Sequence, residues 1–453
     1  MRNFWSFLGG SACLFLGCGT ADPVTDDNGG TSGSGQTQPT AGQPGAAGTD
    51  TGAGGSATPG MGGASSMAGT GTGGTNAPIE GGSASGGSAS GGSSTGSGGT
   101  NAPVEGGSSG TEKNPGKGNG FFPATLLPSH AKAAYTTWKT KYLKSCAGGK
   151  FRVAFNATET VSEGIGYGML LTVAHGDRTE FDGLWAYFKQ HSSGGVMAWK
   201  VNGCDSVVDG NSASDAELDA AMALIQASCK WGGNYLTEAQ SLIAAIKSQE
   251  TIEGGENFLK PAKQGLDSCQ NPSYYAPGYY RAFAKKHPSQ AAFWNKLASD
   301  TYVQLGRAAN SATGLVPNWA NMSGNPGCGG YEHADKYGYD AARTPWRIAT
   351  DYVWNGTPAA KEYLTKLVNW VDGPAGGIAA IGDRYTLSGT KESPNHNSTF
   401  TGAFALAGMA HSQSKADQYG TGFRSISDST YYEESLRAVY MLLASGLFLN
   451  ACE

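Results

Sequence analysis

The chain has no basic run. Lys and Arg number 31 against 36 Asp and Glu, a formal net charge of -5, so nucleic acid is not expected as a partner. It has no His-Glu-x-x-His sequence and no close Cys-x-x-Cys pair, so neither a zinc site nor another metal or cofactor is expected. The single compact His/carboxylate cluster, Glu332-His333-Ala334-Asp335, reads better as a solvated loop than as a metal-dependent hydrolase centre. Membrane-spanning apolar runs are missing too. Residues 4–16, mostly apolar after Arg2, are too short to cross a bilayer and read as the core of a signal peptide over residues 1–18.

That segment ends Leu14-Phe15-Leu16-Gly17-Cys18, similar to a bacterial lipobox with Cys18 as the lipidated residue. Gly19, rather than Asp, follows it, which by resemblance to bacterial lipoproteins implies export to the outer membrane or cell surface. Ordinary secretion with Cys18 incidental is the alternative. Residues 19–118 are Gly, Ser, Thr, Ala and Pro with few large apolar side chains, a linker too poor in apolar surface to offset its ordering entropy and therefore expected to be disordered. As a tether it could reach about 50–60 Å. A phrase repeats inside it, TNAPIEGGS at Thr75–Ser83 and TNAPVEGGS at Thr100–Ser108. Slippage duplication accounts for this more simply than a binding motif.

Residues 119–453 are expected to form one folded domain, a monomer. Six cysteines lie in it, Cys146, Cys204, Cys229, Cys269, Cys328 and Cys452. An even count in an exported chain implies up to three disulfides, of undetermined pairing. Apolar residues at three- and four-residue spacing predict helices over 131–143, 163–175, 180–191, 215–230, 237–249, 274–286, 290–309, 344–354, 359–371, 399–410 and 431–449. Ser214, and Thr237 with Gln240, read as helix starts. Only stretches such as Phe151–Phe155 read as strand. The expectation is an all-α domain with two unusually long loops, 201–211 and 318–340, a length often tied to function.

Four acidic neighbourhoods stand out. In TVSEGIGYGML, Thr160–Leu170, Glu163 precedes Gly164, Gly166 and Gly168; the bare backbone would let the helix start approach a ligand or neighbouring helices closely. In Ser212–Trp231, Asp215 and Asp219 are four apart and share a helical face, while Glu217 points elsewhere; acids at a helix start are also favoured by the macrodipole alone. In YGYDAARTPWRI, Tyr337–Ile348, Asp340 stands three residues before Arg343 and just ahead of a helix. A cation and a helix N-terminus both hold a carboxylate ionised, which suits a general base. Asp205 and Asp209 read as surface or turn residues.

Taken together these segments resemble glycoside hydrolase family 8. TVSEGIGYGML is similar to the family's acid motif and GGVMAWKV, Gly194–Val201, to the segment before its signature helix. ASDAELDAAMALIQASCKW, Ala213–Trp231, resembles the signature itself, departing at Glu217, where Asp is usual, and Ala220, where Ile or Met is usual. NPSYYAPGYYRAF, Asn271–Phe283, and DAARTPWR, Asp340–Arg347, follow in order. The resemblance implies an (α/α)6 barrel and inverting hydrolysis of a β-1,4-linked glycan: cellulose or mixed-linkage glucan first, xylan or chitosan as alternatives, with a catalytically inactive surface polysaccharide-binding protein as the reading from another class. Chitosanases of the family commonly draw their base from elsewhere, so the intact segment around Asp340 favours glucan or xylan. By resemblance Glu163 is the general acid and Asp340 the base. Asp215 binds the distorted sugar between them, Tyr274 positions the water and Arg343 orients Asp340. Trp199, Trp319 and Tyr167, aromatics near the loops, are expected to bind the polysaccharide.

One tension remains at this level. A carboxyl opening a helix should have a low pKa, whereas an acid catalyst must keep its proton. A like charge supplied by Asp215 would raise it, and Asp215→Ala is then expected to lower turnover and move the acidic limb of the pH profile of Glu163 downward.

Overall fold

The computed structural model describes residue 112, residues 114–448 and residue 450. The signal segment, Cys18, Cys452 and both copies of the repeat lie outside them. Among the described residues twelve α-helices follow one another: α1 Pro128–Tyr142, α2 Ser162–His175, α3 Arg178–Gln190, α4 Ser214–Trp231, α5 Tyr235–Gln249, α6 Pro277–Lys286, α7 Ala291–Ala308, α8 Thr344–Asn355, α9 Pro358–Asp372, α10 Ser398–Gly408, α11 Gln413–Arg424 and α12 Tyr431–Ala444.

Burial sorts them into two layers. The even-numbered helices are covered nearly all round; α8 is buried from Thr344 to Trp354 and α10 along its whole length. The odd-numbered ones are amphipathic. Helix α9, for example, buries Ala360, Tyr363, Leu364, Leu367, Val368 and Val371, one stripe at helical spacing. In the inner layer α2 packs on α4, α4 on α6, α6 on α8, α8 on α10 and α10 on α12, and α12 returns to α2. Outside, α3, α5, α7, α9 and α11 lean on the inner helix that precedes each, and α1 leans on α12. This is the (α/α)6 barrel. Its seam is held where Trp138 Nε1 on α1 donates to Ser435 Oγ on α12 at 3.0 Å. Packing begins ahead of α1, where Asn114 Nδ2 donates to the carbonyls of Leu126 and Ala444 at 2.9 and 2.8 Å.

Because inner and outer helices alternate as hairpins, the six inner helices run the same way and their N-termini share one end. The connections entering that end are the long ones, and they fold back as short ribbons. Lys200–Asn202 pairs with Glu159–Val161 and with Ser206–Asp209, and Cys269–Gln270 pairs with Ala320–Asn321. Two disulfides, Cys146–Cys204 and Cys269–Cys328, each join two such connections. Cys229 is also disulfide-bonded.

Several local expectations need correction. Helix α11 has no counterpart among the eleven predicted spans. Ser214 is the first residue of α4 rather than its cap, and its hydroxyl donates to the Lys260 carbonyl. Helix α5 starts at Tyr235, so Thr237 is not a cap either. Helix α6 starts at Pro277; Tyr274 lies in a separate 3-10 turn before it.

Candidate active site

The three glycines after Glu163 face protein, not the open end. A Cβ on Gly164 would collide with the Tyr431 hydroxyl. One on Gly166 would lie 2.9 Å from Asp219 Cβ and 3.1 Å from the Ala216 carbonyl, and one on Gly168 3.0 Å from Leu184 Cδ1. They let α2 seat against α12, α4 and α3 at once. The closeness to a ligand expected of them is not seen; the closeness to neighbouring helices is.

That seating brings Glu163, at the start of α2, next to Asp215, at the start of α4. Both meet Arg343, which stands in a 3-10 turn at the head of α8. Arg343 Nη1 donates to Glu163 Oε2 at 2.7 Å and to Asp215 Oδ2 at 2.6 Å, while Nη2 donates to Asp340 Oδ1 at 3.1 Å. Three carboxylates, two from the first turns of α2 and α4 and one from just ahead of α8, therefore share one planar guanidinium. Arg343 and Asp215 keep only 2% of their side-chain surface, whereas Glu163 and Asp340 keep 18% each. The inner pair is sealed and the outer two open to solvent. One helical turn deeper the pattern repeats: Arg347 Nη2 donates to Asp219 Oδ2 at 2.9 Å and Nη1 to Oδ1. Asp215–Arg343 and Asp219–Arg347 are two rungs between α4 and the α8 segment. Asp219 is thus a buried structural partner.

Burial governs the proton affinities. It pushes Glu163 up to about 8, opposed by Arg343 and reinforced by Asp215 and Asp340. Asp215 contributes as the sequence suggested, but desolvation is the larger cause. Burial also raises Asp340 above the ordinary carboxylate range, although Arg343, the Trp319 indole and Asn271 all pull it down. The expectation that Arg343 holds Asp340 charged gives the direction of one influence and not the net result. Asp215 is raised as well, by burial first, against Arg343 and Arg347.

Most of the expected residues gather here, though not always in the expected posture. The Tyr274 ring lies 5.2 Å from the Arg343 guanidinium. Tyr167 is fully buried beside Trp346 and presents its hydroxyl to Arg343 Nη1 at 3.4 Å; it offers no face to a sugar. Trp319 is 3% exposed and turns its indole N–H to Asp340 Oδ2 at 3.0 Å, so it too is no stacking platform. Trp199 is 6% exposed, and its carbonyl accepts the Ser162 N–H at 2.9 Å, behind the start of α2. Glu217, one of the two departures from the family signature, is buried and accepts the Met197 N–H at 2.9 Å. Reasoning from sequence missed Arg347, although Arg343 and Arg347 repeat the four-residue spacing of Asp215 and Asp219. It also missed Asn318, for which a long loop gave no local signal.

An all-helical barrel whose inner N-termini present two half-open carboxyls on one arginine defines the class, a glycoside-cleaving (α/α)6 enzyme. The profile of Glycosyl hydrolases family 8 matches residues 124–446. Endoglucanase A of Acetivibrio thermocellus is 38% identical over 339 residues, covering 70% of this chain and 69% of that relative. Beta-glucanase of Niallia circulans is 32% identical over 352 residues, covering 71% and 85%. The apo structure of the beta-1,3-1,4-glucanase from Paenibacillus sp. X4 superposes with a TM-score of 0.68 at 29% identity, over 72% of this chain and 95% of that one. The chain belongs to glycoside hydrolase family 8.

Proposed function

We propose that this glycoside hydrolase cleaves internal bonds of β-1,4-linked glucan, cellulose or mixed-linkage, by inversion. Glu163 gives its proton to the leaving glycosidic oxygen as that bond to the anomeric carbon breaks. A water attacks the anomeric carbon from the opposite face and surrenders a proton to Asp340. Asp215 binds the sugar ring held between them. The observation that carries this reading is the shared guanidinium. Glu163 and Asp340 sit on its two different terminal nitrogens, which keeps their bonded oxygens within about 8 Å of each other. That limit admits the roughly 6.5–9.5 Å of an inverting pair as well as the shorter spacing of a retaining one; inversion is taken from the family resemblance. The proton affinity of Glu163, about 8, keeps it protonated at neutral pH as an acid must be; burial raises Asp340 as well, and Arg343 and the Trp319 indole pull it back toward ionisation. Relatives named endoglucanase and beta-glucanase favour glucan as the polymer.

The test is reducing-sugar release from carboxymethylcellulose, mixed-linkage β-glucan, xylan and chitosan by the protein and by Glu163→Gln. The glucans should be hydrolysed fastest, with viscosity falling ahead of reducing ends. Glu163→Gln should lose at least about 100-fold in kcat. Activity on none of the four polymers overturns the reading in favour of a binding protein.

The proposal extends to location: export, with Cys18 as a lipid anchor on the cell surface. Disulfides between surface connections suit an oxidising compartment. Cys18→Ser should move the activity from the membrane fraction to the medium; an unchanged distribution removes the anchor.

A further inference from the structure

Asp340 is held by more than Arg343. Both of its carboxylate oxygens are engaged, Oδ1 by Arg343 Nη2 at 3.1 Å and Oδ2 by the Trp319 indole N–H at 3.0 Å. Its backbone is gripped on both sides by the residue before that tryptophan. Asn318 Oδ1 accepts the N–H of Gly338 at 3.1 Å and of Ala341 at 2.9 Å. The same amide donates through Nδ2 to the carbonyl of His333 at 3.0 Å. His333 is the single non-glycine residue with positive φ, +58°, among the described residues, a conformation that costs energy and persists where the surroundings impose it. Gly338 is required for this grip, since a Cβ there would lie 2.7 Å from Asn318 Nδ2.

The dipeptide is itself fixed. The Trp319 N–H donates to the Ala334 carbonyl at 2.9 Å, and its carbonyl accepts the Gly327 N–H at 2.9 Å. Its ring packs with Leu266, Cys269 and Ala334 in a small cluster separate from the main core, with the Tyr331 ring centroid 4.9 Å away. The Cys269–Cys328 disulfide, Cα to Cα 5.7 Å, closes that cluster covalently.

We propose that Asn318 and Trp319 are positioning residues for the water-activating carboxylate, and that the loop from 318 to 340 exists to hold Asp340 in one rotamer. This rests on Asp340 being the base. A carboxylate with one oxygen fixed by an arginine and the other by an indole cannot turn about its last bond, so its remaining lone pairs point in set directions. An attacking water is then met by a base already oriented, and orientation at that step acts on the rate of the chemical event rather than on the binding of the polymer. The indole N–H also favours the ionised form.

Trp319→Phe keeps the ring and removes the N–H. On soluble β-glucan, kcat should fall about 10- to 100-fold with KM unchanged, and the acidic limb of the kcat profile should move to higher pH because Asp340 holds its proton more tightly. A purely structural role would lower the unfolding temperature without moving that limb. If Trp319→Phe fails to fold, Gly338→Ala, which presses one methyl against Asn318, carries the test by the same criteria. Asp340→Asn is measured alongside. An inactive Asp340→Asn together with an unmoved acidic limb in the positioning variant overturns this proposal alone. An active Asp340→Asn overturns the assignment of the base, and this proposal with it.

Discussion

Glu163 is the second residue of a helix, where the backbone dipole favours a carboxylate, yet it holds its proton up to about 8. The resolution lies in the hydration its carboxyl gives up by being largely buried, a loss that outweighs both the dipole and Arg343. Asp215 adds to this in two ways. Its own charge opposes ionisation of Glu163, and it competes for the same Nη1 of Arg343. Removing it leaves Arg343 to Glu163 and withdraws a like charge, and both changes lower the Glu163 pKa. Glu163 acts protonated, so activity is present below its pKa and lost above it, and the limb it governs is the alkaline one rather than the acidic one expected from sequence. Asp215→Ala should therefore move the alkaline limb of the kcat profile to lower pH and, through the lost contact to the sugar, reduce kcat on the order of 100-fold. Normal turnover with an unmoved alkaline limb would remove Asp215 from the site. At this scale the sequence singled out the charged side chains that the structure brings together, because Glu163, Asp215, Asp340 and Arg343 each lie in a compact motif. It misjudged Trp319 and Tyr167, because proximity to a turn does not say which way a ring faces. In both cases the polar tip of the aromatic meets the charged cluster and the ring is packed away.

At the scale of elements, the glycines of α2 decide how close the inner helices come. Gly166 lies against Asp219 Cβ and the Ala216 carbonyl, and a carbonyl on a packed helix cannot move aside. Gly166→Val should destabilise the protein by about 1–3 kcal/mol, read as a lower thermal midpoint. It should also reduce kcat, because α2 carries Glu163 and α4 carries Asp215. Wild-type stability in that variant would mean that α2 and α4 are not in contact as described. Helix spans were legible wherever an apolar stripe was thick. Helix α11 was not, since QSKADQYGTGFR offers Ala416, Tyr419 and Phe423 as its only buried large or apolar side chains and carries two glycines. Its start is nonetheless marked, with Ser412 accepting the Lys415 N–H. The starts read at Ser214 and Thr237 failed for the opposite reason. A residue type that suits a cap is common, and tertiary contacts decide whether it is used.

At the scale of the whole molecule, periodicity and the family resemblance told of an all-helical barrel but not how it closes. Local pattern distinguishes a helix buried all round from one with a wet face. It does not state that α12 returns to α2, or that α1 rests on α12, since those contacts join residues far apart in the chain. The Trp138–Ser435 bond spans 297 positions, Glu163–Arg343 180 and Asp215–Arg343 128.

This has a consequence for how the enzyme comes into being. While it is being made, Glu163 and Asp215 emerge long before the arginine that gathers them, and α1 waits for the helix it must rest on until Tyr431–Ala444 has been added. Contacts of such long range are slow to form, because the loop must close before they reward it. Hydrolytic competence is thus a late event in the birth of the molecule: a growing chain has its first two acids before it has their arginine or the third carboxylate, and they become a catalyst only as the circle of helices is completed.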